Sequence, residues 1–316
     1  MLIHSPGLLA TTQDMGRAHL AHLGVPQSGA MDVFAAQAAN ILVGNAPGEA
    51  VIEFLGGGAV VEFDAPAVFA ITGAGVGASV NGEPLPGWVT ARAGAGAQVS
   101  VTARARAYLA VLGGLDAPLA LGSRSVYAPA GLGRALQAGD VLSPRNPSPK
   151  MDVARLAGRW WDGACRPAYG DIPVLRVLPG PHVGHFAPGV LDGFCGAPYR
   201  VSATSNRMGL RLEGEPLRHA GEASLPSLGV FPGVVQVPPD GLPILLMADA
   251  QTTGGYPILA AVIQADLSLA AHLLPGDAVR FGLATEAQAL AALRQNQLWL
   301  RDGLRECEGD ALAALA

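Results

Sequence analysis

The chain has 316 residues, half of them apolar and only 14% charged, against a usual charged share of about a quarter. It is globular and core-rich, long enough for two domains or one large one. A net charge of −5 from 20 basic and 25 acidic residues gives no electrostatic reason to expect nucleic acid or an anionic membrane as a partner.

Twenty basic residues less the single lysine, Lys150, leave 19 arginines. That excludes a Walker A loop, a Schiff-base lysine and a biotin acceptor within the chain, because Lys150 sits in the linker-like run RNPSPKMD. Any ATP or biotin chemistry is expected to be supplied by another chain. Three cysteines, Cys165, Cys195 and Cys307, show no Cys-x-x-Cys spacing. They argue against a disulfide framework or a thiolate zinc site and fit a reducing, cytoplasmic setting. The start MLIHSPGLLATTQD has neither the basic start nor the apolar core of a signal peptide. No uncharged run reaches the ~20 continuous apolar residues that cross a bilayer.

In chain order, residues 1–31 are punctuated by Gly and polar residues. Asp32 then caps an expected helix running to about Val43, with Phe34, Ala38, Ile41 and Leu42 on its apolar face. From Val51 the pattern becomes a series of short strands, VIEF, AVVEF, AVFAIT, WVTA, AQVSVT and AYLAVL, separated by Gly, Pro and Asn81-Gly82 turns. Forty-two Gly and 25 Pro suit such a β-rich, turn-dense chain. The Pro- and Ser-rich stretch Ser143–Asp152 marks the boundary, giving expected domains 1–148 and 149–284. The second domain carries VLRVL, YRVS, GLRL, VVQV, ILLMA and AVRF as strands. Ala138-Gly139-Asp140-Val141 is faintly echoed by Pro275-Gly276-Asp277-Ala278 near the end of the second half. Thr285 with Gln288 makes a capping box, and Leu290, Leu293, Leu300 and Leu304 lie on one stripe of a closing helix within a C-terminal extension, 285–316.

Gly73-Ala-Gly75-Val-Gly77-Ala78 matches a dinucleotide fingerprint in form, but Asn81-Gly82 turns the chain again within a few residues. No helix can open there to receive a pyrophosphate, so the run reads as a strand end and hairpin. His182 and His185 stand three apart in a Gly- and Pro-rich loop without a third ligand at metal spacing, and no metal site is expected.

Two polar clusters carry the functional signal. The first contains Gln13, Asp14 and Arg17, followed by Ser28 and Asp32; a guanidinium here could hold a carboxylate through two parallel bonds. Asp32 is also explained as a helix cap. The second is Asp249-Ala-Gln251-Thr252-Thr253-Gly254-Gly255-Tyr256, directly after an apolar strand. Loops fixed by a sheet concentrate binding residues, and a Gly-Gly pair admits close backbone approach; bracing a sharp turn is the alternative. Asn206 and Arg207 form a third, smaller polar turn.

The runs TTQDMGR, GVPQSGAMD, ANILVGN, SNRMGLRLEG and QTTGGYP, in this order from Thr11 to Pro257, resemble the allophanate hydrolase subunit 2 family. That family includes a component of 5-oxoprolinase, a kinase-inhibitor antagonist and part of the carboxyltransferase domain of urea carboxylase. The resemblance covers about residue 2 to Phe281. It implies a mainly β (α+β) protein of two tandem cyclophilin-like β-barrel domains with a few helices. It also implies partners, the smaller homologous B subunit of the oxoprolinase and its A subunit, with ATP and Mg²⁺ acting in the complex and biotin not attached to this chain.

The leading expectation is a component of an ATP-dependent 5-oxoprolinase, namely its C subunit. A carboxyltransferase component and a non-catalytic regulator are the alternatives. For the leading reading, Asp14, Arg17, Asp249 and Gln251 are the catalytic candidates. Gln13, Ser28, Asp32, Asn206, Arg207, Thr252, Thr253, Gly254, Gly255 and Tyr256 are the substrate-binding candidates. One local departure from the family pattern is Ala271-His272 before Pro-Gly-Asp.

Overall fold

A computed structural model describes residues 1–146 and 156–306. The boundary expected at 148, the linker lysine and Cys307 lie outside the described residues. The chain divides into two compact units. The described part of unit 1 is 1–16, 32–146, 156–166 and 297–306, and unit 2 is 17–31 with 167–296. The stretch 17–31 thus groups with the C-terminal half.

In unit 1 the polar-punctuated N-terminal stretch holds two short strands, Leu2–Pro6 (β1) and Leu9–Gln13 (β2). Helix α1, Val33–Leu42, begins where expected: the Asp32 carboxylate accepts the Ala35 N–H at 3.0 Å. Its buried face comprises Phe34, Ala35, Ala38, Ala39 and Leu42. Eight strands follow: Val51–Leu55 (β3), Ala59–Phe63 (β4), Ala67–Gly73 (β5), Gly77–Val80 (β6), Glu83–Pro86 (β7), Thr90–Ala93 (β8), Ala97–Thr102 (β9) and Arg106–Val111 (β10). They form two five-stranded sheets, β1-β4-β9-β6-β7 and β2-β3-β10-β5-β8.

Alternate residues of both sheets, among them Ile3, Ile52, Phe54, Val61, Phe69, Val99 and Leu109, share one core. The run Gly73–Ala78 joins β5 to β6, and Asn81-Gly82 closes the β6–β7 hairpin, so the glycines serve turns between strands, as their context requires. A short strand, Trp160–Trp161 (β11), places Trp161 edge-on to Phe34 at 6.1 Å.

Unit 2 contains Val174–Pro179 (β12), helix Val190–Gly196 (α2), Tyr199–Val201 (β13), Gly209–Glu213 (β14), Leu228–Gly229 (β15), Val234–Gln236 (β16), Ile244–Leu246 (β17), Thr253–Gly254 (β18), Ile258–Val262 (β19), helix Leu267–Ala270 (α3) and Ala278–Leu283 (β20). Seven of these strands close a barrel in the order β12-β19-β16-β17-β14-β13-β20, sealed by the parallel pair β12 and β20. Its interior holds Leu175, Val177, Leu210, Leu212, Val235, Leu245, Leu259 and Phe281, with Phe194 of α2 stacked on Phe281 at 4.2 Å. A second, smaller cluster of Val230, Val234, Leu246, Ala250 and Ile258 sits where β15 and β18 pair with each other. The molecule is mainly β, as expected, with the closed barrel in unit 2 and the two-sheet arrangement in unit 1.

The four-residue echo has a structural counterpart. In unit 1 the Gln137 N–H donates to Asp140 Oδ2 at 2.8 Å and the Asp140 N–H returns to the Gln137 carbonyl. In unit 2 the Leu274 N–H donates to Asp277 Oδ2 at 2.8 Å and the Asp277 N–H returns to the Leu274 carbonyl. Gly139 and Gly276 both take left-handed backbone, φ +91° and +89°. Each turn then docks on one strand, Ile3 in the first case and Val201 in the second.

Helix α4, Glu286–Asp302, opens on the predicted capping box: Thr285 N–H donates to Gln288 Oε1 at 2.8 Å and Gln288 N–H to Thr285 Oγ1 at 3.2 Å. The leucine stripe is only partly covered. Leu293, Leu300 and Leu304 are half-buried, but Leu290 is 53% exposed and no residue of the helix is fully buried. A final strand, Leu304–Arg305 (β21), pairs with β11. Among the described residues no helix is long and apolar enough to cross a membrane.

Candidate functional site

The chain leaving β17 pairs with the chain entering β14: Met247 N–H donates to the Met208 carbonyl at 3.0 Å and Asp249 N–H to the Arg207 carbonyl at 2.9 Å. This pairing sets the Asp249 and Arg207 side chains together. Arg207 Nε donates to Asp249 Oδ2 at 2.9 Å and Nη2 to Oδ1 at 3.1 Å, the two-pronged geometry that only a guanidinium offers. The same Nη2 donates to the Gly29 carbonyl at 2.5 Å. Ser28 Oγ completes the group, donating its proton to Asp249 Oδ1 at 2.6 Å.

Asp249 and Ser28 are both buried. Ser28 and Gly29 occupy left-handed backbone in succession, φ +57° and +95°. A serine in that region is strained, and such residues persist only where surrounding bonds hold them; here the holding bonds are those to Asp249 and Arg207. The result is an ion-paired carboxylate that fixes the direction of a hydroxyl. Asn206 stabilises the turn from outside, its Oδ1 accepting the Met208 N–H at 2.8 Å while its side chain stays exposed.

The Gln251–Pro257 cluster lies against the outside of the barrel. Its strand β18 pairs with β15, Val230 N–H donates to the Thr252 carbonyl at 3.0 Å, and Leu225 N–H to the Gly255 carbonyl at 2.7 Å. Gln236, buried on β16, ties the segment down from beneath. Its Oε1 accepts from Gln251 Nε2 at 3.3 Å and its Nε2 donates to the Tyr256 carbonyl at 3.4 Å. A Cβ on Gly254 would stand 2.7 Å from Gln236 Nε2, and one on Gly255 would stand 2.8 Å from the Leu225 carbonyl oxygen. The glycines therefore allow close approach to the protein's own strands, so bracing is a large part of what this cluster does. Thr253 and Tyr256 remain exposed and Thr252 half-buried.

Other predicted residues lie in unit 1. Asp14 Oδ1 accepts from Ser123 Oγ and Ser125 Oγ, each at 2.5 Å, and from Gly16 N–H at 2.8 Å, while Oδ2 accepts the Arg124 N–H at 2.6 Å. Four donors make this carboxylate a clamp for the 123–125 segment. Gln13 is fully buried, its Nε2 donating to Thr11 Oγ1 at 3.0 Å and the Val126 carbonyl at 3.3 Å. Asp32 caps α1 and its N–H donates to Tyr108 Oη at 2.8 Å. Arg17, which belongs to unit 2, is buried, with its backbone N–H on the Gln27 carbonyl at 2.7 Å.

Sequence reasoning misses a buried polar row. Thr11, Glu53, Tyr108 and Thr72 stand opposite one another across β2, β3, β10 and β5, all on one face of the sheet. Arg106 Nε approaches Glu53 Oε1 at 3.6 Å. Burial, then the Glu53 and Asp32 carboxylates, push the Tyr108 phenol well above its ordinary range. The signal is a single glutamate in the apolar strand VIEFL, legible only once the pairing register is known.

His182 is a backbone acceptor: the Ile258 N–H donates to its Nδ1 at 3.0 Å, and the His185 ring stands edge-on at 5.4 Å. Burial and the neighbouring imidazole hold its pKa below the ordinary 6.5. With the folded value depressed, the unfolded chain takes the proton first, so stability is full above pH ~6.5 and falls as pH drops through that value. Urea midpoints at pH 7.5 and 5.0 should therefore differ less in His182→Gln than in the unmodified chain. His272 packs edge-on against Tyr169 at 4.8 Å, a buried packing role at the position that departs from the family pattern.

A mainly β chain with this closed barrel, matched over residues 23–283 by the carboxyltransferase domain, subdomain A and B model, belongs to that family. It is 37% identical over 299 residues to the C subunit of 5-oxoprolinase from Escherichia coli (strain K12), covering 92% of this chain and 93% of that protein. The corresponding 5-oxoprolinase protein of Haemophilus influenzae is 35% identical over 304 residues, covering 92% and 93%. Among solved structures, the Kluyveromyces lactis urea carboxylase superposes with a TM-score of 0.84 at 25% identity, covering 97% of this chain and 30% of that much longer one.

Proposed function

We propose that this chain is the C subunit of an ATP-dependent 5-oxoprolinase, which opens 5-oxoproline to L-glutamate with cleavage of ATP. The observation that carries this reading is the near end-to-end likeness to proteins of that name, at 37% identity over 93% of the relative's length. An unstrained lactam resists hydrolysis, so its amide must be activated, and the site must supply donors for charge developing on oxygen together with a group fixed in direction. Ser28, held by Asp249 and Arg207, supplies the fixed group. Arg207 acts through Asp249 as a positioning residue, since its Nε and Nη2 already serve Asp249 and Gly29. Thr252, Thr253 and Tyr256 face the substrate from the braced segment.

ATP and Mg²⁺ are assigned to the complex, bound by a partner chain. The donor set here does not suit Mg²⁺: both oxygens of Asp249 are taken by Arg207, one of them also by Ser28, and Asp14 is filled by four donors. Among the described residues no group of three His, Cys, Asp or Glu could hold a metal ion. The A and B subunits of the oxoprolinase are the expected partners, and the chain alone should turn over nothing. In the reconstituted complex, Arg17→Ala and Gln251→Ala should each lower 5-oxoproline-dependent ADP release at least about tenfold. Unchanged release in both variants would remove these residues from the site.

A second reading, transfer of a carboxyl group to a small amide, is favoured by the superposition on urea carboxylase. It predicts turnover that needs biotin and bicarbonate, a dependence that the oxoprolinase reading excludes.

A further inference from the structure

Unit 1 contains a cavity of about 590 Å³ that none of the residues assigned above lines. It lies at one end of the two-sheet structure, where β4 ends at Phe63, β5 begins at Ala67, β8 ends at Ala93 and β10 ends at Val111. Its size is that of small-ligand sites. The walls are mostly apolar, from Phe63, Pro66, Val68, Leu112, Leu115 and Leu142.

Among the described residues its charged groups are few and unequal. The Met1 ammonium donates to Asp64 Oδ1 at 2.8 Å and to the Leu142 carbonyl at 2.9 Å, so Asp64 is already compensated. Arg92 also lines the cavity, is exposed, and has no hydrogen bond or ion pair among the described residues. Apolar walls with one uncompensated guanidinium call for a ligand with an apolar body and a single anionic head. A second negative charge would find no further unpaired cation among the described lining residues, and a neutral ligand would leave Arg92 unused.

We propose that this cavity binds a medium-chain aliphatic carboxylate, its alkyl chain along the accessible apolar wall of Pro66 and Leu112 and its carboxylate at Arg92. The site is independent of the amide chemistry proposed above. Calorimetric titration of the full chain with hexanoate, octanoate, decanoate and octanamide tests it. Affinity should rise about fourfold per added methylene until the walls are covered. Octanoate should bind about tenfold more tightly than octanamide. Arg92→Gln, at an exposed position, should erase that preference while leaving octanamide unchanged, and Leu112→Trp, at a half-buried position, should weaken both ligands by filling the cavity. Absence of saturable octanoate binding at millimolar concentration, no dependence on chain length, or an octanoate affinity unchanged in Arg92→Gln would each overturn the proposal.

Discussion

Asp249→Ala is expected to lower the unfolding free energy by about 3 kcal/mol and to abolish ADP release in the reconstituted complex. Removing one member of a buried ion pair leaves the other charge without compensation, which costs more than the intact pair contributes. Here the loss removes the carboxylate paired with the Arg207 guanidinium, which is 14% exposed, and takes away a bond that holds the left-handed backbone of Ser28. Ser28→Ala should cost less, about 1.5 kcal/mol, because a hydrogen bond to a charged group is lost while the ion pair stays. Urea denaturation of Asp249→Ala, Arg207→Ala and the double variant would give the coupling. The double variant should be more stable than the sum of the two single losses implies. A strictly additive result would mean that the pair contributes nothing jointly.

Gly255→Ala is the second large effect. Its new Cβ would stand 2.8 Å from a backbone carbonyl oxygen, that of Leu225, which cannot turn aside. The Gln251–Pro257 segment must lift from its neighbour, at about 1–3 kcal/mol, and Thr252, Thr253 and Tyr256 move with it. Gly254→Ala meets the amide end of Gln236 at 2.7 Å, a side-chain tip able to rotate, and is expected to be milder. Turnover and urea midpoints of the two variants, measured side by side, should rank Gly255→Ala as the more damaged in both. The reverse ranking would mean that the Gln236 contacts, rather than the Leu225 carbonyl, hold the segment in place.

Local signals in the chain are legible where one residue type has one dominant use. Asp32 before an apolar stripe is a helix cap, Thr285 with Gln288 is a capping box, and Asn81-Gly82 is a hairpin turn. The Gly-Asp echo, four residues long, corresponds to two turns with the same pair of hydrogen bonds. Strand β19, ILAAV, escapes a reading by pattern because alanine carries little β preference and the segment binds the barrel only through its two neighbours. The leucine stripe of α4 overstates the cover because periodicity reports a face, not what packs on it.

At the candidate site, residue types are legible but their partners are not. Asp14 and Asp249 look equivalent in sequence. One is filled by serine hydroxyls and backbone amides, the other is paired with Arg207 across 42 positions of chain. Ser28 and Asp249 are 221 residues apart, and no local pattern could join them. Glu53 and Tyr108 need the strand register before their burial on one face can be seen.

ADP release by the chain co-expressed with the A and B subunits of 5-oxoprolinase tests whether this chain is a required part of that ATP-dependent enzyme. Release should require 5-oxoproline, should yield glutamate in equal amount, and should vanish when this chain is omitted. Release that proceeds without the chain, or that depends on biotin and bicarbonate in place of 5-oxoproline, would mean that the chain is not a required part of that enzyme.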